Sequence, residues 1–431
     1  MSGIESAGGI LIVGAGQAGM QLAVSLRDGG YEGEVTIVGQ EAYLPYQRPP
    51  LSKAFLSGDS DFESLEFRTP EFYVGKQITV ITGEQVVDAA FDGDSGTATT
   101  DTGRVLTFDR LALAPGSTPR QLPLPGAELD GVLYLRDLDD ALALKARWAE
   151  AANVVVIGGG FIGLEVAAAA RKTGKTVTVL EALDRLIARA VSPITSEFYR
   201  QAHERRGTSV RLGARLERFV GGDDQVGPRV TGVELAADAD GNVEIIPADI
   251  VMVGIGVIAR GDLAAKLGLE TINGAIVVNE FAETSDPRVV AAGDAVLLPH
   301  PLGGESQVRL ESVQNAVDQA KVAASTLLGK REAYRAVPWF WSDQADLKLQ
   351  IAGLSTGFDQ TVVRGSQDDE HFSVLYYRDS QLIAIDAVND PSDYMAVRRA
   401  LGAGGNIPAE LAADSAVPLK TLIVAGAESA A

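Results

Sequence analysis

Twice along the chain, four aliphatic residues run into a glycine-rich turn and then into a helical pattern. The first copy is Ile10-Leu-Ile-Val-Gly-Ala-Gly-Gln-Ala-Gly19 and the second is Val154-Val-Val-Ile-Gly-Gly-Gly-Phe-Ile-Gly163. Uninterrupted aliphatic quartets are the pattern of strands buried on both faces, as in parallel sheets. Helix-like runs follow at residues 20–27 and 164–172, and each leads to a further aliphatic strand at residues 35–38 and 177–180. The chain therefore predicts strand–turn–helix–strand, twice. Between the copies, Leu111-Ala-Leu-Ala-Pro-Gly-Ser-Thr-Pro-Arg120 reads as a strand ending in a Pro/Gly crossover turn. A matching aliphatic strand covers residues 249–256, and Thr284 to Asp294 follows it.

From residue 332 the texture changes. Short alternating stretches at residues 349–352, 361–364, 372–377 and 382–385, separated by turn residues, predict an antiparallel sheet, and a helical segment follows around residues 394–401. The fold expected is α/β: two Rossmann-like dinucleotide-binding domains, one inserted in the other, plus a C-terminal α+β domain. The expected division is 1–117 with 248–331, then 118–247, then 332–431.

Composition narrows the chemistry. The net charge of −21 argues against nucleic acid, whose phosphates require a positive face. There is no cysteine, which removes disulfides, thiolate metal sites, protein-held iron–sulfur clusters and dithiol mechanisms. The three histidines, His203, His300 and His371, are scattered, so no metal site is expected. No apolar run is long enough to cross a bilayer. The stretch from Met1 to Gly9 lacks the basic start and apolar block of a secretory signal, so a cytoplasmic location without membrane attachment is expected.

Each glycine of the repeated motif has its own reason. Gly14 and Gly158 make the tight turn. Gly16 and Gly160 let the backbone approach a pyrophosphate, and Gly19 and Gly163 let the helix pack closely on its strand. The phosphates then meet free N–H groups at a helix start. Glu181 ends its strand 23 residues after Gly158, placed to accept hydrogen bonds from both ribose hydroxyls and to repel a 2′-phosphate. No cation follows at Ala182 or Leu183, and Arg185 stands past the site, so NADH is favoured over NADPH at the second copy. At the first copy Glu41 is the ribose acid, with Gln40 as a further hydrogen-bonding group, or else Glu41 is a solvated loop residue.

These motifs resemble the two-dinucleotide-fold flavoprotein reductases. More narrowly, the chain resembles the FAD-dependent NADH:ferredoxin reductases of bacterial oxygenase systems (the putidaredoxin reductase, rhodocoxin reductase and aromatic-ring dioxygenase reductase family) over nearly its full length. The segments that carry the resemblance include Arg48-Pro-Pro-Leu-Ser-Lys53, Tyr134-Leu-Arg-Asp137, Gly158 to Glu165, Arg309 to Ala316 and Pro338-Trp-Phe-Trp-Ser-Asp343. The resemblance implies FAD in the first fold and NADH in the second. It implies FAD contacts at Ala18, Arg48, Lys53, Val86, Arg136, Asp294 and Val313, and NADH contacts at Ile162 and Gly256. Asp294 would accept from the ribityl chain beside a helix start, or cap a helix. Val313 would bring a backbone N–H to the pyrimidine end of the flavin. Lys53, paired with Glu165, would lie near flavin N5, or else the pair is structural.

Phe161 stands where tyrosine is frequent in the family and would cover the flavin until nicotinamide displaces it. Trp341 is either an aromatic on the electron-exit side or a core residue. Other departures are Gln40 for aspartate, Pro115 for threonine and Ala259-Arg260 for Pro-Asn. The expected reaction is hydride transfer from NADH to flavin N5, then single electrons to a [2Fe–2S] ferredoxin that feeds an oxygenase. That ferredoxin would be a transient partner, guided electrostatically by a basic rim from Arg68, Arg309, Lys321, Lys330, Arg331 and Lys348, on a reductase that is a monomer or weak dimer. A rubredoxin or quinone reductase of the same fold, or an NADH-sensing flavoprotein, stays open as an alternative.

Overall fold

Both repeated segments form the strand–turn–helix–strand unit that their patterns predict. The computed structural model describes residues 9–224, 227–303 and 306–425, apart from the side chains of 223 and 224; residues 1–8 of the polar N-terminal stretch lie outside them. The chain divides into two compact units. The first comprises Met1–Gln47, Glu63–Thr118 and Ile258–Phe340, and the second Arg48–Phe62, Pro119–Val257 and Trp341–Ala431.

The first unit is built on a five-stranded sheet in the order Val289–Ala291, Arg110–Leu113, Ile10–Val13, Val35–Val38, Ile78–Ile81. Every neighbouring pair is parallel, with Ile12 opposite Ile37 on one side and Ala112 on the other. The helices Gln17–Asp28 and Val313–Leu327 pack together, and Leu22, Leu26, Ala320 and Ala323 of their facing sides are fully buried with Ile12 and Ile37. Burial of each large aliphatic side chain there contributes roughly 1.5–3 kcal/mol.

The second unit repeats the arrangement with the order Thr208–Leu212, Thr176–Glu181, Asn153–Ile157, Ile250–Val253, Val132–Leu133, again with parallel pairs. Here one expected boundary moves. The strand Ile250–Val253, assigned from the sequence to the returning first domain at 248, hydrogen-bonds to Asn153–Ile157 of the second sheet. The chain re-enters the first unit only at Ile258. A four-residue aliphatic strand buried on both faces satisfies either parallel sheet, so its composition does not say which one it joins. In both sheets the strand order reverses at the glycine-turn strand, and such a reversal opens a crevice at the carboxyl ends of the strands.

The second unit, from Trp341 on, also holds an antiparallel sheet in the order Trp339–Gln344, Leu347–Gly353, Gln381–Val388, His371–Arg378, Gln360–Ser366, with helix Pro391–Gly402 packed on two of its strands. This sheet buries charges that alternation alone does not reveal. Arg364 pairs with Asp393 at 2.8 Å and donates to the carbonyls of Ala412 (3.2 Å) and Val417 (2.7 Å), pinning the tail. Asp386 is fully buried; the hydroxyls of Thr195 (2.9 Å) and Tyr376 donate to its Oδ2.

Burial pushes the Asp386 carboxyl up to about 7, against the hydrogen bonds from Tyr376 and Thr195 that pull it down. An unfolded aspartate titrates near pH 4, so the folded state holds this proton more tightly over the window from about 4 to about 7. The stability linked to that proton is fully present below about pH 4, falls as the pH rises, and is gone above about 7. Asp386→Asn keeps an acceptor for the two hydroxyls and removes the titration. Its melting temperature relative to the unsubstituted protein is expected to climb between pH 4 and 7 in thermal scans. A difference constant across that range refutes the assignment.

Candidate functional site

The geometry of the two glycine turns separates the roles of their residues. Gly14 and Gly158 have φ of +112° and +104°, and a Cβ on either would stand 2.0 Å from the Ala114 carbonyl oxygen or 2.4 Å from that of Gly254. A side chain on Gly19 would meet the Gly14 oxygen at 1.9 Å, and one on Gly163 would meet the Gly158 oxygen at 2.2 Å. Nothing lies within 4 Å of a Cβ placed on Gly16 or Gly160. The first and third glycines are thus required by the backbone, and the middle one faces open space.

Gly16 and Gly160 are also the N-caps of helices Gln17–Asp28 and Phe161–Lys172, and neither helix has a side-chain cap or an acidic first turn. Asp137, Ser192, Ser312 and Asp390 cap other helices with their side chains. The first N–H groups of the two glycine-motif helices, with the positive end of the helix dipole, thus form a cradle for an anionic group. Such a pair of cradles fits the pyrophosphates of two dinucleotides.

In the second unit the Glu181 carboxylate is fixed on the turn itself, accepting from the N–H of Gly159 at 2.7 Å and of Leu183 at 2.8 Å. Arg185 is committed elsewhere: its guanidinium donates to the Val191 carbonyl at 2.7 Å and to Ser196 Oγ at 2.9 Å. Gly256, with φ of +99°, lies beside an arginine that the sequence reading passed over. A Cβ there would be 3.0 Å from Arg189 Nη2, and Arg189 is exposed. Phe161 and Ile162 begin the helix after the turn, and Ile162 is 43% exposed, unusual for an isoleucine.

In the first unit Tyr46 donates to the Glu41 carboxylate, and the Gln40 amide oxygen accepts from Arg260 at 2.9 Å. Two of the departures from the family pattern, at 40 and 260, therefore pair with each other. Val86 is buried at the start of strand Val86–Asp92. Ala18 is buried next to Gly293, whose Cβ would be 3.2 Å from that of Ala18. Asp294 follows directly, accepting from Ser117 Oγ at 3.3 Å. The next element after Asp294 is the strand Val296–Pro299, so it caps no helix; Ser312 caps the helix that Val313 begins. Of the basic-rim candidates, Arg309, Lys321 and Arg331 each already pair with a carboxylate: Glu311, Asp318 and Glu283 respectively.

The second unit brings Lys53 and Glu165 together. Lys53 Nζ is 2.7 Å from Glu165 Oε2, and Glu165 is only 4% exposed. Ser52 Oγ donates to the same oxygen at 2.6 Å, and Ser342 Oγ donates to Oε1 at 2.6 Å. Neither serine was singled out from the sequence, although both stand in the two most distinctive segments, at 48–53 and 338–343. Trp341, half-buried, alternates with Ser342 along the strand and so occupies the opposite face. Arg48 Nη1 donates to the Arg136 carbonyl at 2.7 Å, and the Arg136 N–H donates to Asp140 at 2.8 Å. Burial, then the neighbouring Asp137, raises the pKa of Asp140. Of the expected FAD contacts, the first unit holds Gly14, Gly16, Ala18, Gly19, Glu41, Val86, Asp294 and Val313, while Arg48, Lys53 and Arg136 belong to the second.

The two glycine types make a paired prediction. Gly163→Ala forces a contact at 2.2 Å against backbone and is expected to destabilise the protein by about 1–3 kcal/mol in denaturant titration. Gly160→Val, at a φ of −81° that any residue adopts, is expected to cost less, about 1 kcal/mol for the poorer N-cap residue, while weakening NADH binding at least tenfold by fluorescence titration. Equal loss of stability in both variants would contradict the distinction.

Comparison with known proteins agrees with this geometry. Residues 9–320 match the family described as pyridine nucleotide-disulphide oxidoreductase, and residues 339–423 match the reductase C-terminal domain. Rhodocoxin reductase of Rhodococcus erythropolis is 45% identical over 96% of this chain and 94% of its own length. The crystal structure of the ferredoxin reductase for the CYP199A2 system from Rhodopseudomonas palustris superposes with a TM-score of 0.90 at 42% identity, covering 96% of this chain and 99% of that one. The covalent putidaredoxin reductase–putidaredoxin complex gives a TM-score of 0.90 at 38% identity, covering 96% and 98%. This chain belongs to the pyridine nucleotide-disulphide oxidoreductase family, with the reductase C-terminal domain at its end.

Proposed function

We propose that this protein is an NADH-dependent, FAD-containing ferredoxin reductase whose acceptor is a [2Fe–2S] ferredoxin of an oxygenase system. The observation that carries the reading is the duplicated, open-faced glycine turn in a chain that contains no cysteine. Two cradles call for two dinucleotides, and the missing thiols leave a flavin to pass electrons directly. The relatives' names support the ferredoxin as acceptor. FAD and NADH supply the redox chemistry when bound: a hydride given up by the nicotinamide, and electrons released singly from the flavin.

The residues of this chain bind, orient and discriminate. In the first fold, the N–H groups after Gly16 hold the FAD pyrophosphate, Glu41 serves the adenosine ribose, and Asp294 accepts from the ribityl chain. Val86 and Val313 line the same cofactor, with Arg48, Lys53 and Arg136 contributing as the resemblance implies. In the second fold, the N–H groups after Gly160 hold the NADH pyrophosphate, and Gly256 leaves space beside Arg189. Phe161 covers the flavin face, and Trp341 belongs to the electron-exit side. Glu181 selects NADH: a carboxylate already oriented by two backbone N–H groups accepts from ribose hydroxyls and repels a 2′-phosphate.

The division of labour is FAD binding by 1–117 with the segment that returns after the second fold, NADH binding by the insert, and a C-terminal domain from 332. Among the described residues no helix is long and apolar enough to cross a membrane. We place the protein in the cytoplasm as a monomer or weak dimer meeting its ferredoxin transiently.

Cytochrome c reduction tests the function. NADH-driven turnover is expected to depend strongly on added [2Fe–2S] ferredoxin and to exceed NADPH-driven turnover. Oxidation of NADH that ignores ferredoxin but responds to rubredoxin or quinone would move the protein to another reductase class. For the selectivity, Glu181→Ala is expected to lower kcat/KM for both cofactors, because the turn loses two hydrogen bonds, and to lower it more for NADH. An unchanged NADH:NADPH ratio would remove Glu181 from that role.

A further inference from the structure

Glu165 does not end at the Lys53 ion pair. Its Oε1 accepts from Ser342 Oγ at 2.6 Å, and Ser342 Oγ in turn lies 3.2 Å from Gln344 Nε2. The Gln344 Oε1 faces His203 Nε2 at 2.9 Å. Ser342 and Gln344 stand two apart on strand Trp339–Gln344 and so share its buried face; their exposures are 0% and 1%. His203, 3% exposed, belongs to the last turn of helix Pro193–Arg205, and Glu165 to helix Phe161–Lys172. Two helices and a strand distant from both in sequence meet along one line of side chains.

The direction of every bond in that line follows from the donor inventory. An ionised carboxylate only accepts, so the single Ser342 hydrogen is directed at Glu165. Ser342 must then accept from the Gln344 NH₂, which turns the amide oxygen to His203. His203 must therefore carry its proton on Nε2. Burial lowers the His203 pKa, in keeping with a neutral ring. All three bonds donate toward Glu165, and Ser52 adds a further donor at 2.6 Å on the oxygen that Lys53 touches. An amide does not relay a proton without passing through an unfavourable tautomer, so the line holds groups in place and does not conduct.

We propose that Ser52, Ser342, Gln344 and His203 are positioning residues that lock the Glu165 carboxylate in one orientation and thereby hold the Lys53 ammonium where it sets the reduction equilibrium of bound FAD. This rests on the reading above that Lys53 contacts FAD. Reduced FAD carries more negative charge than oxidised FAD, so a fixed ammonium favours reduction. An ammonium whose partner swings free favours it less.

The test uses the FAD-loaded full-length protein equilibrated anaerobically with a reference dye, with the reduced:oxidised FAD ratio read from absorbance. FAD content and melting temperature are recorded for every variant. Lys53→Met should lower the ratio at a given dye potential. Ser342→Ala should lower it by more than roughly twofold, with FAD content retained, because a carboxylate no longer fixed holds the ammonium less firmly, and only the difference between the two redox states shifts the ratio. Ser342→Thr, which keeps the hydroxyl, should restore the ratio to within twofold. Ser52→Ala gives the same reading by a second route should Ser342→Ala fail to fold. If Lys53→Met lowers the ratio while both serine variants leave it within twofold of the unsubstituted protein, the positioning role is overturned and the FAD contact stands. If Lys53→Met itself changes nothing, the proposed placement of Lys53 at FAD is wrong, and this inference falls with it.

Discussion

A helix can start close against its own strand only where the chain carries no side chain, and both nucleotide folds of this protein depend on that constraint. Gly19 and Gly163 stand so near the preceding turn that a single methyl group would overlap a carbonyl oxygen. Because those contacts are backbone on backbone, the turn geometry is largely independent of the rest of the sequence. It aims the helix N-terminus along the sheet at the point where the strand order reverses. The absence of a capping side chain at Gly16 and Gly160 then has a function, since a cap would occupy the donors that an anion needs.

The two copies share this frame and diverge at the end of the second strand. In the second copy Glu181 is drawn back onto the turn by two N–H groups, so its charge is both placed and oriented. In the first copy Glu41 accepts from Tyr46, while Gln40 pairs with Arg260. A carboxylate at 40 would form an ion pair with Arg260; glutamine accepts the same hydrogen bond without a charge.

The second unit buries several ionisable groups, and it meets their desolvation in different ways. Glu165 has a cation and two hydroxyls. Arg364 has one carboxylate and a row of carbonyls from the C-terminal tail. Asp386 has two hydroxyl donors on one oxygen and no cation among its described hydrogen bonds, and its pKa rises accordingly. Burying an ion without a counter-charge costs more than burying a paired one, and the group responds by holding its proton.

The local units were legible because their causes are local. Aliphatic quartets, a glycine at φ > 0, a helix start and an acid 23 residues on all lie within a few dozen residues, and each has a physical reason that the sequence states directly. The same holds for the alternating strands after residue 332. The sequence by itself therefore determined two dinucleotide folds, an antiparallel C-terminal sheet, and the exclusion of thiol chemistry. The sheet that receives Ile250–Val253 was decided by tertiary pairing, since an aliphatic strand fits either parallel sheet. So was the meeting of Ser342 with Glu165 across 177 positions, because the partner of a buried polar group is whatever the packed chain brings within hydrogen-bond reach.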